Sequence, residues 1–295
     1  MTRLLPRMLF AVLALASGAA PAAITVLDDS GQRVTVAHPV QRVVALSPHA
    51  AEMLFAAAAG KRVVGVVKYS DFPAAATALP QVGDSNQIDI ERVLALKPDL
   101  LLVWHSGNTA RQLEQLRQLG VPMFHSEPQE LDQIAADIGK LGQLLGTEPA
   151  ASQAAAAFRA RVALLRKQYA ARAPVRVFYQ IWEKPLFTLG GRQIVNDVIG
   201  LCGGVNIFAG STIKAPQVSV EEVLGLNPEA VLGGERHDPD ELGVTMWKPY
   251  RGLLAQQRDN LFTLHGDLLA RPGPRMAEGA AELCEKLERA RQRRP

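Results

Sequence analysis

Aromatic residues fall where apolar runs end. Trp104 closes the run at 100–103, Trp182 closes 177–181 with Phe187 a few residues on, and Tyr69 follows 62–67. His49 follows the run at 43–46 through Ser47-Pro48, and Asp267 and Arg271 follow 261–264. In open α/β sheets ligands bind beyond the carboxyl ends of the strands, so residues just past a strand are the natural candidates for contact. The chemistry on offer is non-covalent: flat rings from Tyr69, Trp104, Trp182 and Phe187, with Asp267 and Arg271 as polar groups. Aromatics make up only 5% of the 295 residues, so three of them at strand ends is notable.

Catalytic readings find less support. Gly83-Asp84-Ser85 resembles the nucleophile block of the GDS hydrolases, whose serine needs a histidine base in a late Asp-x-x-His. None of the histidines, His38, His49, His105, His125, His237 and His265, has an aspartate three residues before it. Nucleophile-elbow, zincin, Walker and dinucleotide motifs are missing, and the histidines lack the pair spacing of metal ligands. A binding protein is expected, not an enzyme, with neither resident metal nor cofactor; an exported hydrolase using Ser85 is the distant alternative.

Composition narrows the partners. Lys and Arg number 32 against 29 Asp and Glu, a net charge of +3. No basic face for nucleic acid is expected from that balance, since Arg289, Arg291, Arg293 and Arg294 read as a solvated helix end. Arg3 and Arg7, the apolar stretch 8–16 and Ala20-Pro21-Ala22 read as a cleaved export signal covering residues 1–22. No cysteine lies near that cleavage point, so a lipid anchor is not expected, and the mature protein should be soluble and exported. Export makes a disulfide between Cys202 and Cys284 plausible, closing a loop worth about 4 kcal/mol, with two separate buried thiols as the alternative.

The elements that must position these residues alternate. Residues 25–36 read as a hairpin around Asp29-Ser30-Gly31, and 42–46, 62–67, 100–104 and 121–124 as buried strands with helical pieces such as 111–119 between them. One helix then runs uninterrupted through 150–171, with Thr147 as N-cap and Phe158, Val162, Leu165 and Tyr169 as its apolar stripe. Beyond it, 175–181, 230–232 and 261–264 read as strands, 193–201 as a helix stopped by Gly203-Gly204, and 275–290 as a closing helix. The expected architecture is α/β: an N-terminal lobe at 23–146, a backbone helix at 147–172 and a C-terminal lobe at 173–295. Each lobe should hold a central, mostly parallel sheet flanked by helices.

The lobes echo one another. Residues 89–103 (DIERVLALKPDLLLV) and 219–233 (SVEEVLGLNPEAVLG) each read as a capped helix, stopped by Pro98 or Pro228, feeding a strand. Each carries a glutamate, Glu91 or Glu221, in the first helical turn. An anion suits any helix N-terminus; the alternative is a matched pair of acidic knobs, one per lobe.

Together these motifs resemble the periplasmic substrate-binding proteins whose two lobes are joined by a single backbone helix and which serve ABC importers of cobalamin, haem and ferric siderophores. The likeness runs from about residue 25 to the closing helix. It rests on Arg42-Val-Val-Ala-Leu-Ser-Pro48 with Glu52, GVVKYSDFP at 65–73, ERVLALKPD at 91–99, Cys202-Gly-Gly-Val-Asn-Ile-Phe208 and Pro216-Gln-Val-Ser219. Tyr69-Ser-Asp71, Trp104 with Gly107-Asn108, Phe187-Thr188, the cysteine pair and Pro274-Arg275 are most similar to the cobalamin receptors. The resemblance implies that Tyr69, Trp104 and Phe187 contact a corrin or its nucleotide, and that Glu91 and Glu221 dock on arginines of a membrane permease. A monomer is expected in the periplasm, and its lobes should close little, since a continuous helix is a stiffer link than loose crossing strands. Three tryptophans of the cobalamin pattern are replaced by Ser85, Ala215 and Leu268, and Trp182 stands where that pattern has a small residue. Cobalamin or a related corrinoid is the expected ligand. Haem or a ferric siderophore is the alternative, with Tyr69, His49 or His105 as an axial ligand to haem.

Overall fold

The computed structural model describes residues 23–235 and 240–295; the expected export signal at 1–22 and His237 lie outside them. Strands β1 (Ile24–Leu27) and β2 (Arg33–Val36) form the expected antiparallel hairpin. The Asp28 carboxylate accepts the backbone N–H groups of Ser30 and Gln32 and so closes its turn.

The first sheet follows. β3 (Val43–Ala45), α1 (Pro48–Ala56), β4 (Val63–Val66), α2 (Ile90–Ala95), β5 (Leu100–Trp104), α3 (Ala110–Gln118), β6 (Met123–Ser126) and α4 (Leu131–Leu145) build it in order β4-β3-β5-β6, every pair parallel. The strands are apolar on both faces because helices cover both. Leu100, Leu102 and Phe124 join one core, while Val44, Leu101 and Val103 join the other.

α5 (Glu148–Tyr169) is the long helix between the sheets. Glu148 and Pro149 open it, as a first turn lacking N–H partners permits. Thr147 stands at the expected N-cap position, but its hydroxyl makes no capping hydrogen bond and instead donates to the carbonyl of Ala57, tying the helix start to the first sheet's layer. Ala151, Ala155, Phe158, Val162, Leu165 and Tyr169 form the buried stripe. That stripe packs on α4 on one side and, on the other, on α6 (Ile194–Leu201) and α10 (Met276–Gln292). The helix is therefore a wall shared by one continuous core.

The second sheet contains β7 (Val175–Glu183), β8 (Leu186–Thr188), β9 (Gly204–Asn206), β10 (Ala230–Gly234) and β11 (Leu261–Leu264), in order β11-β10-β7-β8 with β9 also on β7. Only β8 runs antiparallel to its neighbour. Helices α7 (Val220–Leu226), α8 (Leu254–Gln257), α9 (Gly266–Ala270) and α10 (Met276–Gln292) complete the layer. A disulfide joins Cys202, at the end of α6, to Cys284 in α10, with Cα atoms 4.7 Å apart. Between α6 and β9 the chain reverses at Gly203, where φ is +70° and a side chain would meet the carbonyl of Tyr169.

The echoed segments fold alike, as capped helices, α2 and α7, that stop ahead of Pro98 and Pro228. Lys97 and Asn227, at matching positions, both turn left-handed at φ +45°. A following proline disfavours the right-handed helical state for the residue before it. The chain leaves each helix by this left-handed turn instead.

Candidate ligand-binding cleft

Trp104 ends β5, and its neighbours leave it little freedom. The Asn108 side chain accepts the Trp104 backbone N–H at 2.7 Å and donates to the carbonyls of Leu46 and Ser85, both at 2.8 Å. One amide thus pins three strand-end loops. The indole lies over Gly107 so closely that an added Cβ would sit 2.0 Å from the ring. His49 meets it edge-on from behind, with centroids 5.6 Å apart. The His49 ring lies 3.1 Å from the hydroxyl of Ser47, the residue that caps α1. Burial pushes its pKa down to about 4, so it is a neutral strut.

The wall continues through Ser106 and Glu127, just past β5 and β6. Ser106 donates its N–H and hydroxyl to the Glu127 carboxylate at 2.8 and 2.7 Å. Burial works against that charge, but these donors and Lys214 outweigh it and hold its pKa below the usual carboxylate value. Lys214 reaches over from the second half, 3.0 Å away.

The opposite wall is the carboxyl end of β7. Trp182 lies there about half exposed, its Nε1–H donating to the Lys184 carbonyl at 3.2 Å. Glu183 accepts the N–H groups of Leu242 and Gly243, fixing the segment that follows β10. Gln180 accepts the Nε1–H of buried Trp247 at 2.7 Å. Gly233 and Gly234 end β10 beside Gly266 and leave the floor without side chains; a Cβ on Gly233 would lie 2.8 Å from Val244.

Between the walls lies a cavity of about 400 Å³. Its lining includes five carboxylates, Glu127, Glu183, Glu235, Glu241 and Asp267, and Lys214 is the single cation among the described lining residues. The surface accordingly suits hydrogen-bond donors and is unfavourable to polyanions.

The model of the periplasmic binding protein family matches residues 43–250. This chain belongs to that family. The vitamin B12-binding protein of Vibrio cholerae is 40% identical to this periplasmic binding protein over 251 residues, 85% of this chain and 90% of its own. The crystal structure of the periplasmic vitamin B12 binding protein of Vibrio cholerae superposes with a TM-score of 0.80 at 39% identity, covering 86% of this chain and 99% of that one. A periplasmic haem-binding protein from Pseudomonas aeruginosa gives 0.71 at 28% identity, covering 83% and 91%.

Of the contacts expected from sequence, the cleft of this binding protein brings together Trp104, Trp182 and Asp267. Phe187 is the half-buried cross-strand partner of Trp182 on β8, outside the cavity lining. Tyr69 stands 75% exposed in a left-handed backbone, φ +65°, a strained state for a bulky residue. Arg271 is held by carboxylates: Asp71 at 2.5 Å, Asp267 at 3.0 Å and Glu52 at 3.5 Å. Beside it, Arg275 grips Glu52 through two bonds of 2.6 and 2.9 Å and lies over the Phe72 ring. These arginines from the second half bind acids of the first, so the two walls meet at one edge in an ionic seam.

Other candidates part from their expected roles. His49 is buried behind Trp104 and out of reach of a haem iron. His105 lies against His125, with Nδ1 atoms 3.4 Å apart. The Ser85 carbonyl is taken by Asn108, Asp84 accepts the N–H groups of Asn86 and Gln87, and no histidine bonds Ser85 among the described residues. Glu91 and Glu221 sit at the second position of α2 and α7, both exposed. The capping itself is done by Asp89 and Ser219, which accept the N–H groups of Arg92 and Glu222.

Sequence reasoning missed Ser106, Glu127, Glu183 and Lys214. Glu127 is within reach of the strand-end rule, but the sequence places the end of that strand at 124, whereas β6 extends to Ser126. Lys214 lies on a connecting segment with no marker of its own.

Proposed function

We propose that this periplasmic binding protein captures cobalamin, or a related corrinoid, between its two sheets and delivers it to the permease of an ABC importer. The charge of the cleft carries the choice of ligand. A corrin presents a rim of primary amides, whose N–H groups suit five lining carboxylates, and a flat body that suits Trp104 and Trp182. Haem would bring two propionates to the same carboxylates, with Lys214 the one cation among the described lining residues to receive them. The relatives named for vitamin B12 support the same reading.

In this scheme Trp104 and Trp182 form the walls, Tyr69 and Phe187 extend them at the rim, and Asp267 and Arg271 contribute polar contacts. Glu91 and Glu221 dock on the permease. Residues 1–22 direct export and are removed, leaving a periplasmic protein without a lipid anchor. Trp104→Ala and Trp182→Ala should each weaken cobalamin binding by roughly tenfold or more in calorimetry. Unchanged affinity in both would exclude this cleft as the site.

A further inference from the structure

Glu127 and Lys214 face each other from opposite halves of the molecule, and both line the cavity. Neither is loosely placed. Two donors from Ser106 fix the Glu127 carboxylate. The Lys214 backbone carbonyl accepts from the Gly190 N–H at 2.9 Å and from the Gln193 side chain at 3.2 Å. The 3.0 Å ion pair therefore crosses the cleft between two anchored supports.

A cavity of about 400 Å³ suits a small ligand, and a corrinoid is several times bulkier. On the corrinoid reading, on which this inference rests, the ligand occupies the space the pair now crosses, and the pair must part. Glu127, its side chain 17% exposed, would keep the Ser106 donors but lose its cation, and Lys214, 48% exposed, would lose its anion. A ligand that gives Glu127 an N–H donor and Lys214 an anion replaces what the parting removes.

A complete corrinoid carries both groups, amides on the ring and a phosphodiester in its nucleotide loop. A corrinoid lacking that loop offers amides alone, and haem offers carboxylates alone. We propose that the Glu127–Lys214 pair is a specificity element that selects nucleotide-bearing corrinoids, with Lys214 receiving the phosphodiester and Glu127 receiving ring amides.

Calorimetry with cobalamin and with cobinamide, which lacks the nucleotide, tests this on the parent, Lys214→Met and Lys214→Arg. Lys214→Met should weaken cobalamin by about tenfold and shift cobinamide by less than about twofold, while Lys214→Arg keeps the parent preference. The double variant Glu127→Gln with Lys214→Met, which leaves no charge unpaired, should likewise bind the two corrinoids nearly equally. Equal losses for both ligands, or none for either, would overturn the role of Lys214 and leave the corrinoid reading standing. A parent protein that binds neither corrinoid would overturn that reading, and this inference with it.

Discussion

Trp104 shows how much of a site one position holds. Its place at a strand end was legible from residue type alone, as was that of Trp182. The partners that orient it were legible only in part: Gly107 and Asn108 stand close by in sequence, whereas the contact with His49 spans 55 positions and exists only after folding. His49 carries a consequence at this scale. Its pKa in the folded chain is pushed by burial from 6.5 to about 4. Between those values the unfolded chain takes a proton that the folded chain refuses. The stability is complete above about pH 6.5 and falls, by roughly 3 kcal/mol in all, as pH drops toward 4. Asp137 acts in the opposite sense: buried beside Asp29, its carboxyl pKa is raised, so the folded chain keeps a proton that the unfolded chain releases. The two oppose each other, and only a comparison with His49→Gln isolates the histidine. Urea denaturation from pH 7 to pH 4 should show the parent losing stability relative to that variant. A difference that does not change with pH would contradict a neutral, buried His49.

At the scale of elements, periodicity was the reliable guide. The stripe of α5 was readable because four apolar residues recur at helical spacing, and the structure buries all of them. The ends of elements were less readable, because caps and turns depend on single contacts. Thr147 has the right chemistry for a cap, yet the Ala57 carbonyl lies within its reach. Pro98 and Pro228 marked the ends of α2 and α7, but the turns themselves fall at Lys97 and Asn227. These two short helices also bear the proposed docking residues. Their N-termini are already served by Asp89 and Ser219, which leaves Glu91 and Glu221 outside the capping hydrogen bonds. Glu91→Ala combined with Glu221→Ala should leave ligand affinity unchanged and strongly impair transport in cells supplied with the cognate permease. Normal uptake by the double variant would reduce both to helix-terminal charges.

For the whole molecule, the alternation of strands and helices on either side of one long helix was enough to expect two mostly parallel sheets, and the family comparison agrees. What pattern reading could not supply is how the halves meet. The shared core along α5, the buried Glu52–Arg275 pair and the Glu127–Lys214 contact all join residues far apart in sequence. They place the cleft at the carboxyl ends of both sheets, with indoles on opposing walls and carboxylates around them. The account turns on what that cleft holds. Calorimetry of the purified protein against cobalamin and against haem measures it directly. A saturable heat with a single cobalamin per chain, and weak or no binding of haem, is the predicted result; no heat with cobalamin and tight haem binding with a shifted Soret band would contradict it.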